Sequence, residues 1–436
     1  MTIRPQPAEF LYAERVTDLP ARFENILGAF LVGRGNPLHD VDLALADHPE
    51  SILGHCLRMA LIVRGDDAAH LSRLAESVTA IETICREADG QARRHALAAR
   101  AWLDGDHALA VERYGAIIVD FPRDILALAV AHTLDFRLGL RHMLRDRVAQ
   151  VLPEWHPATP GYASVLAMYA FGLEENGQYR RAEKMARRAL EIDPRHPAAM
   201  HVIVHVMEMQ GRGREGLEFL AANESAWIDT SFAVHLAWHR ALFHLDAEDA
   251  PSALAVYDAQ IATSRAVSEL ADASALLWRL QLRNVHVGGR WSRLADLWER
   301  RGFAAARPFY IAHAMMAFAA TGRAAPARRI FDQLRDAVAS GALASHPEQS
   351  LIVPLCEALF AFARGDYTSC VRRLEVVRHI MHECGGSHAQ CDLLQLTFVE
   401  AALRANKANL ARALVAERTA ERPFSRLNRR LQRRLA

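Results

Sequence analysis

The residues best equipped for chemistry are histidines spaced four apart. In HVIVHVMEMQGR, His201 and His205 are followed three residues on by Glu208, and a helical repeat of about 3.6 residues puts all three on one face. In SFAVHLAWHRALFH, His235 and His239 repeat that spacing beside Trp238, with His244 following. Two imidazoles and a carboxylate converging on a cavity can hold a divalent transition metal in the two-histidine, one-carboxylate manner. The ligand set is then His201, His205, Glu208 and His239. The same groups can act as general acid and base, line a pocket for a polar ligand, or form a structural hydrogen-bonded cluster. The spacing lacks the glutamate of the zinc-protease H-E-x-x-H motif, so metal is not dictated by the motif itself.

A second polar segment, Gly385-Gly386-Ser387-His388-Ala389-Gln390-Cys391-Asp392, stands just before the last helical stretch. Ser387 fits a helix cap, the two glycines allow a tight backbone before it, and the amides at such a helix start could hold an anion or carboxylate. Ser387, His388 and Gln390 are therefore ligand-binding candidates, with a plain capped turn as the alternative. A catalytic triad on Ser387 is not expected, because there is no G-x-S-x-G elbow and no strand to carry one. His132 with Asp135, the Trp278-Arg279 pair and His313 in FYIAHAMMAF read as packing between helices or groove wall, and Arg279 and His313 join the ligand-binding candidates.

These residues need a scaffold, and the chain repeats one. From Gln91 to Asp124, Leu97-Ala98 on a first helix is followed by a Gly105-Asp106 turn, then Ala110, Tyr114 and Ile117-Ile118 on a second helix, closed by Pro122. This is the tetratricopeptide pattern, with a period of about 34 residues. Copies begin at Ala163, with its turn at Gly177, and at Pro197, with its turn at Gly211. Weaker copies are phased near Ser51, Ile125, Val234, Ala275, Pro308, Leu351 and Asp392, so the expected fold is an all-α superhelix of about ten helix pairs. Residues 1–50 read as an N-terminal helical cap, 51–424 as the array, and 425–436 as a basic tail forming a solvated closing helix. In such an array the first helix of each pair faces the concave side, which projects His95, Phe171, His201, His205, Trp238, Leu242, Arg279 and Arg283 into the groove.

Composition narrows the partners. Lys plus Arg number 52 against 51 for Asp plus Glu, a net charge of +1, which supplies no field to draw in nucleic acid or an anionic membrane, so neither is expected. No segment reaches the ~20 apolar residues of a membrane span, and the N-terminus has no basic start followed by an apolar core. A cytoplasmic location follows as the expectation. The six cysteines form no C-x-x-C pair and read as reduced thiols.

HVIVHVMEMQGR, ALFHLDAEDAPSALAVYDAQI, ALLWRLQL, GGSHAQCD and ARALVAERTAERP together resemble the tetratricopeptide repeat protein thirty-eight family, over most of the chain. The resemblance implies a helical-repeat fold with a cavity lined by these motifs, and brings no established reaction. Cys391 stands where that family has Arg, so no ionic role is implied there.

Three functions follow as expectations. The first is a binding protein holding a small molecule or short peptide against the histidine, glutamate and tryptophan cluster. The second is an enzyme using the same cluster, with or without a divalent metal, on a small substrate. The third is a scaffold for acidic peptide tails, which suffers because only Arg279 and Arg283 occupy clamp positions. Neither ligand, oligomeric state nor closure of the superhelix is written in these patterns.

Overall fold

A computed structural model of the chain describes residues 19–435 apart from 66, 86–89, 264–265, 303–306 and 340–347. Residues 1–18 of the expected N-terminal cap lie outside the described residues. The chain is all-α, a tetratricopeptide-like stack of antiparallel helix pairs, with no strand among the described residues beyond one isolated bridge between Arg34 and Thr230.

The local chemistry of each pair is repetitive. Helices Gln91–Leu103 and His107–Asp120 are joined by a turn in which Gly105 takes φ +79°, and Gly139, Gly177 and Gly211 take the same left-handed place in later turns. Where the copies look weakest, a non-glycine residue adopts that conformation: Glu248 at +66°, Asn284 at +59° and Asn406 at +55°. Aspartates start many helices. The side chains of Asp106, Asp124, Asp249 and Asp366 each accept a hydrogen bond from a backbone N–H in the first turn.

Small residues set the helix spacing. Gly172 in Tyr162–Glu175 faces the backbone at Leu144, so a Cβ there would meet the Leu144 carbonyl oxygen at 2.3 Å. Gly216 in Gly213–Ala222 lies against the Phe243 ring in the same way, at 2.4 Å.

The chain divides into two compact units, 1–203 with 225–232, and 204–224 with 233–436. The core of the first includes Phe23, Leu57, Tyr114, Leu128 and Val165. The core of the second runs from Ala237 through Trp278, Trp298 and Phe318 to Leu431. The second unit closes on itself. Helix His388–Arg404 packs against Val267–Leu282, where Trp278 Nε1–H donates to Thr397 Oγ1 at 3.0 Å and Arg404 donates to the Leu282 carbonyl at 2.9 Å. The basic tail is the helix Arg426–Leu435, with Asn428 and Leu431 buried, Arg430 paired to Glu248 at 2.7 Å and Arg434 to Glu400 at 2.5 Å.

One expected start is corrected: the helix phased near Ala275 begins at Val267. Its partner follows only at Arg290, after residues 283–289, whereas the well-formed copies need about three turn residues. Counting back from the Gly289 turn therefore lands inside the helix.

Candidate functional site

The second unit concentrates the polar side chains. His205 and Glu208 come from Pro197–Met209, His235, Trp238 and His239 from Ala233–Asp246, and Asp272, Arg279 and Arg283 from Val267–Leu282 or its end. His313 comes from Pro308–Thr321, and Ser387, His388, Gln390 and Asp392 from the start of His388–Arg404. All but the last are first helices of consecutive pairs. The last reaches the same place through the closure described above.

The imidazoles pack ring on ring. His205 and His239 have centroids 4.6 Å apart, His235 and His239 4.8 Å, and His205 and His388 6.1 Å. One ring nitrogen from each of His205, His235 and His239 lies within 4.8 Å of the others. His205 and His239 are fully buried. Trp238 stacks on His235 with an interplanar angle of 14° and meets His239 edge-on. Two carboxylates hold the outer nitrogens: His239 Nδ1 to Glu208 Oε2 and His235 Nδ1 to Asp272 Oδ2, both at 2.8 Å. A carboxylate accepts, so each Nδ1 carries the hydrogen and Nε2 becomes the lone-pair nitrogen of the neutral ring. Asp272 is braced in turn by Gln390 Nε2, which donates to its Oδ1 at 3.2 Å. Ser387 and Gln390 form a reciprocal capping box at the helix start, so the capped turn and the contact to Asp272 are one device.

Beside this cluster lies a knot of arginines. Asp392 pairs with Arg418 at 2.7 Å, Arg422 at 3.5 Å and Arg279 at 3.9 Å. Burial alone would raise its carboxyl, but the three guanidiniums override that and hold it well below the usual carboxylate range. Arg422 also meets Glu208 at 3.6 Å and donates to the His388 carbonyl at 3.0 Å. Arg279 donates to the Ala389 carbonyl at 2.7 Å and lies over the Trp238 ring, 5.3 Å from its centroid. These groups border a cavity of about 70 Å³ whose walls include Glu208, Asp246, Arg279, Arg283, Asp392 and Arg422.

The expected residues thus fall in four places. His205, His235, Trp238, His239 and His388 form the ring cluster, with Glu208 and Gln390 bracing it. Of the expected ligand-binding set, only Glu208 and Arg279 also line the arginine cavity. His313 sits apart: its Nδ1 bonds the Phe309 carbonyl at 2.7 Å, and with Cys384, Gly385 and Gln390 it borders a void of about 10 Å³. His201 belongs to the first unit, where its ring packs between Phe171 and Phe232 at 5.7 and 5.5 Å. Asp272, Arg418 and Arg422 were not anticipated. No periodic signal in the sequence marks them.

No family profile matches the chain. Among solved structures it is similar to the human IFIT1 dimer with m7Gppp-AAAA, at 12% identity over 96% of this chain and 95% of that one, with a TM-score of 0.40. It is also similar to a monomeric mutant of IFIT1 with Gppp-AAAA, at 12% identity over 97% and 96%, TM-score 0.35. A third is Naa15/Naa10 bound to HypK-THB, at 15% identity over 97% and 71%, TM-score 0.32. One expectation is corrected: no nucleic-acid partner was expected, whereas the two IFIT1 structures hold m7Gppp-AAAA and Gppp-AAAA. Net charge sums over a whole chain, whereas Arg279, Arg283, Arg418 and Arg422 gather at one cavity. Among the described residues, no helix is long and apolar enough to cross a membrane.

Proposed function

We propose that the second unit binds a small anionic ligand, through a carboxylate or phosphate group, in the arginine-lined cavity beside Glu208. The observation that carries this is Arg283. Three of the four cavity arginines share Asp392, but Arg283 has no carboxylate within ion-pair distance among the described residues and donates only to the Leu245 carbonyl, at 2.5 Å. Burial, reinforced by the nearby Arg430, lowers its guanidinium to about 10. An incoming anion would relieve that penalty with a charge-assisted contact. The cavity volume, about 70 Å³, exceeds the ~10–15 Å³ one water needs, and suits a carboxylate or phosphate group with a short stem.

This is the small-molecule or short-peptide reading made specific by charge. The closer kinship with the tetratricopeptide repeat protein thirty-eight family belongs to the same proposal. Its GGSHAQ segment supplies Ser387, His388 and Gln390, which support Asp272 and Arg422. The enzyme reading gains less, because neither His235 nor His239 lines the cavity.

Calorimetry and thermal shift with inorganic phosphate, succinate, a short acidic peptide and a short oligonucleotide test the proposal and separate free anions from polymer-borne ones. Arg283→Met should weaken the best ligand by about 10- to 100-fold, the scale of one charge-assisted contact. Equal affinity in the variant, or no stabilisation by any of the four, overturns it.

A further inference from the structure

The ring cluster has its own chemistry, independent of the anion cavity. The geometry points to a transition-metal site made by His205, His235 and His239, with Glu208 and Asp272 as the carboxylates that orient two of the ligands. Three imidazoles already offer nitrogens within 4.8 Å of one another. Tetrahedral zinc, with Zn–N bonds of about 2.0–2.1 Å, holds its ligand nitrogens roughly 3.4 Å apart. A shift of less than about 1 Å at each ring closes the set.

The orienting groups are arranged as metal sites require. His239 Nδ1 is held by Glu208 and His235 Nδ1 by Asp272, each at 2.8 Å, so both rings are fixed in the tautomer whose Nε2 can ligate. Those carboxylates are themselves fixed, Asp272 by Gln390 at 3.2 Å and Glu208 by Arg422 at 3.6 Å. Stacking by Trp238 limits rotation of His235. The Trp238 Nε1–H is buried and has no acceptor among the described residues. Neutral imidazole ligands with carboxylates behind them suit Zn(II), Co(II), Ni(II) or Cu(II).

In this assignment Glu208 braces a ligand and does not itself bind the metal, and His235 takes the place expected for it. Two alternatives compete. A purely structural stack needs no metal, and adventitious binding at exposed histidines would not depend on these three rings.

The experiment is titration of the chelator-stripped full chain with Co(II), in buffer free of phosphate and carboxylates, so that the outcome is independent of anion binding. One equivalent is expected, with the visible absorption bands of tetrahedral cobalt, displaced by Zn(II). His235→Ala, at a partly exposed position, should abolish those bands, and the isosteric Asp272→Asn should weaken affinity by about 10- to 100-fold with unchanged helicity. His286→Ala, at an exposed site, should change nothing. Should His235→Ala fail to fold, the stoichiometry and the tetrahedral bands of the unmutated chain, together with Asp272→Asn, keep the test decisive. Binding well below one equivalent, or full binding retained in His235→Ala, overturns the assignment.

Discussion

His313 shows how a single buried side chain ties stability to pH. Its Nδ1–H donates to the Phe309 carbonyl, and burial lowers its value to about 4 from the usual 6.5. In the first unit, burial likewise brings His132 and His196 to about 4. Each folded value lies below the unfolded one, so the unfolded chain takes up protons first as pH falls. The stabilising effect of keeping these rings neutral is complete above about pH 6.5 and is lost progressively between 6.5 and 4, at up to about 1.4 kcal/mol per pH unit per residue. Denaturant unfolding across that range should show a steep loss, and His313→Gln should flatten the slope by about one proton. An unchanged slope would show that His313 does not stay neutral. At this scale the sequence was informative where residues were periodic: the four-residue spacing found His205, His235 and His239, and the unusual GGSHAQ run found Gln390. Asp272, Arg418 and Arg422 were illegible because their partners lie far along the chain, and charge placed by tertiary pairing leaves no periodic trace.

The helix pair is the next scale, and glycine governs it twice. At turns such as Gly105 it supplies a left-handed backbone, and this regular punctuation is what made the repeat readable. Within helices it permits close approach. Gly172→Ala should destabilise the first unit by about 1–3 kcal/mol despite alanine's better helix propensity, because the new methyl meets the Leu144 carbonyl oxygen, which belongs to backbone and cannot rotate away. Chemical denaturation measures it, and a neutral or stabilising result would show that the two helices can separate without cost. The misplaced start near Ala275 has a physical reason of the same kind. Residues 283–289 form a longer connection carrying Asn284 at φ +59°, so an element boundary inferred from a fixed repeat length slips when one loop grows.

For the molecule as a whole, repetition alone leaves open whether a stack ends or returns. In an open array each pair depends on its neighbours only, and loss of the last pair frays one end. The second unit differs, since Trp278, Arg279 and Glu208 are joined to Thr397, Ala389 and Arg422. Removing the chain from residue 388 onward, and with it Ala389, Thr397 and Arg422, should therefore lower hydrogen-exchange protection in Val267–Leu282 as well as in the new terminal helix. Protection lost only at the terminus would mean that the closing contacts carry little free energy. The return was invisible in the sequence because the residues that meet, such as Trp278 and Thr397, bear no mark of each other. It also imposes an order on biosynthesis. Ribosomes release the histidine-bearing helices long before Asp392, Arg418 and Arg422 exist, so the nascent second unit carries half-built polar surfaces until translation has passed residue 422. Its assembly is bound to be late, and until then a chaperone would find the histidines accessible.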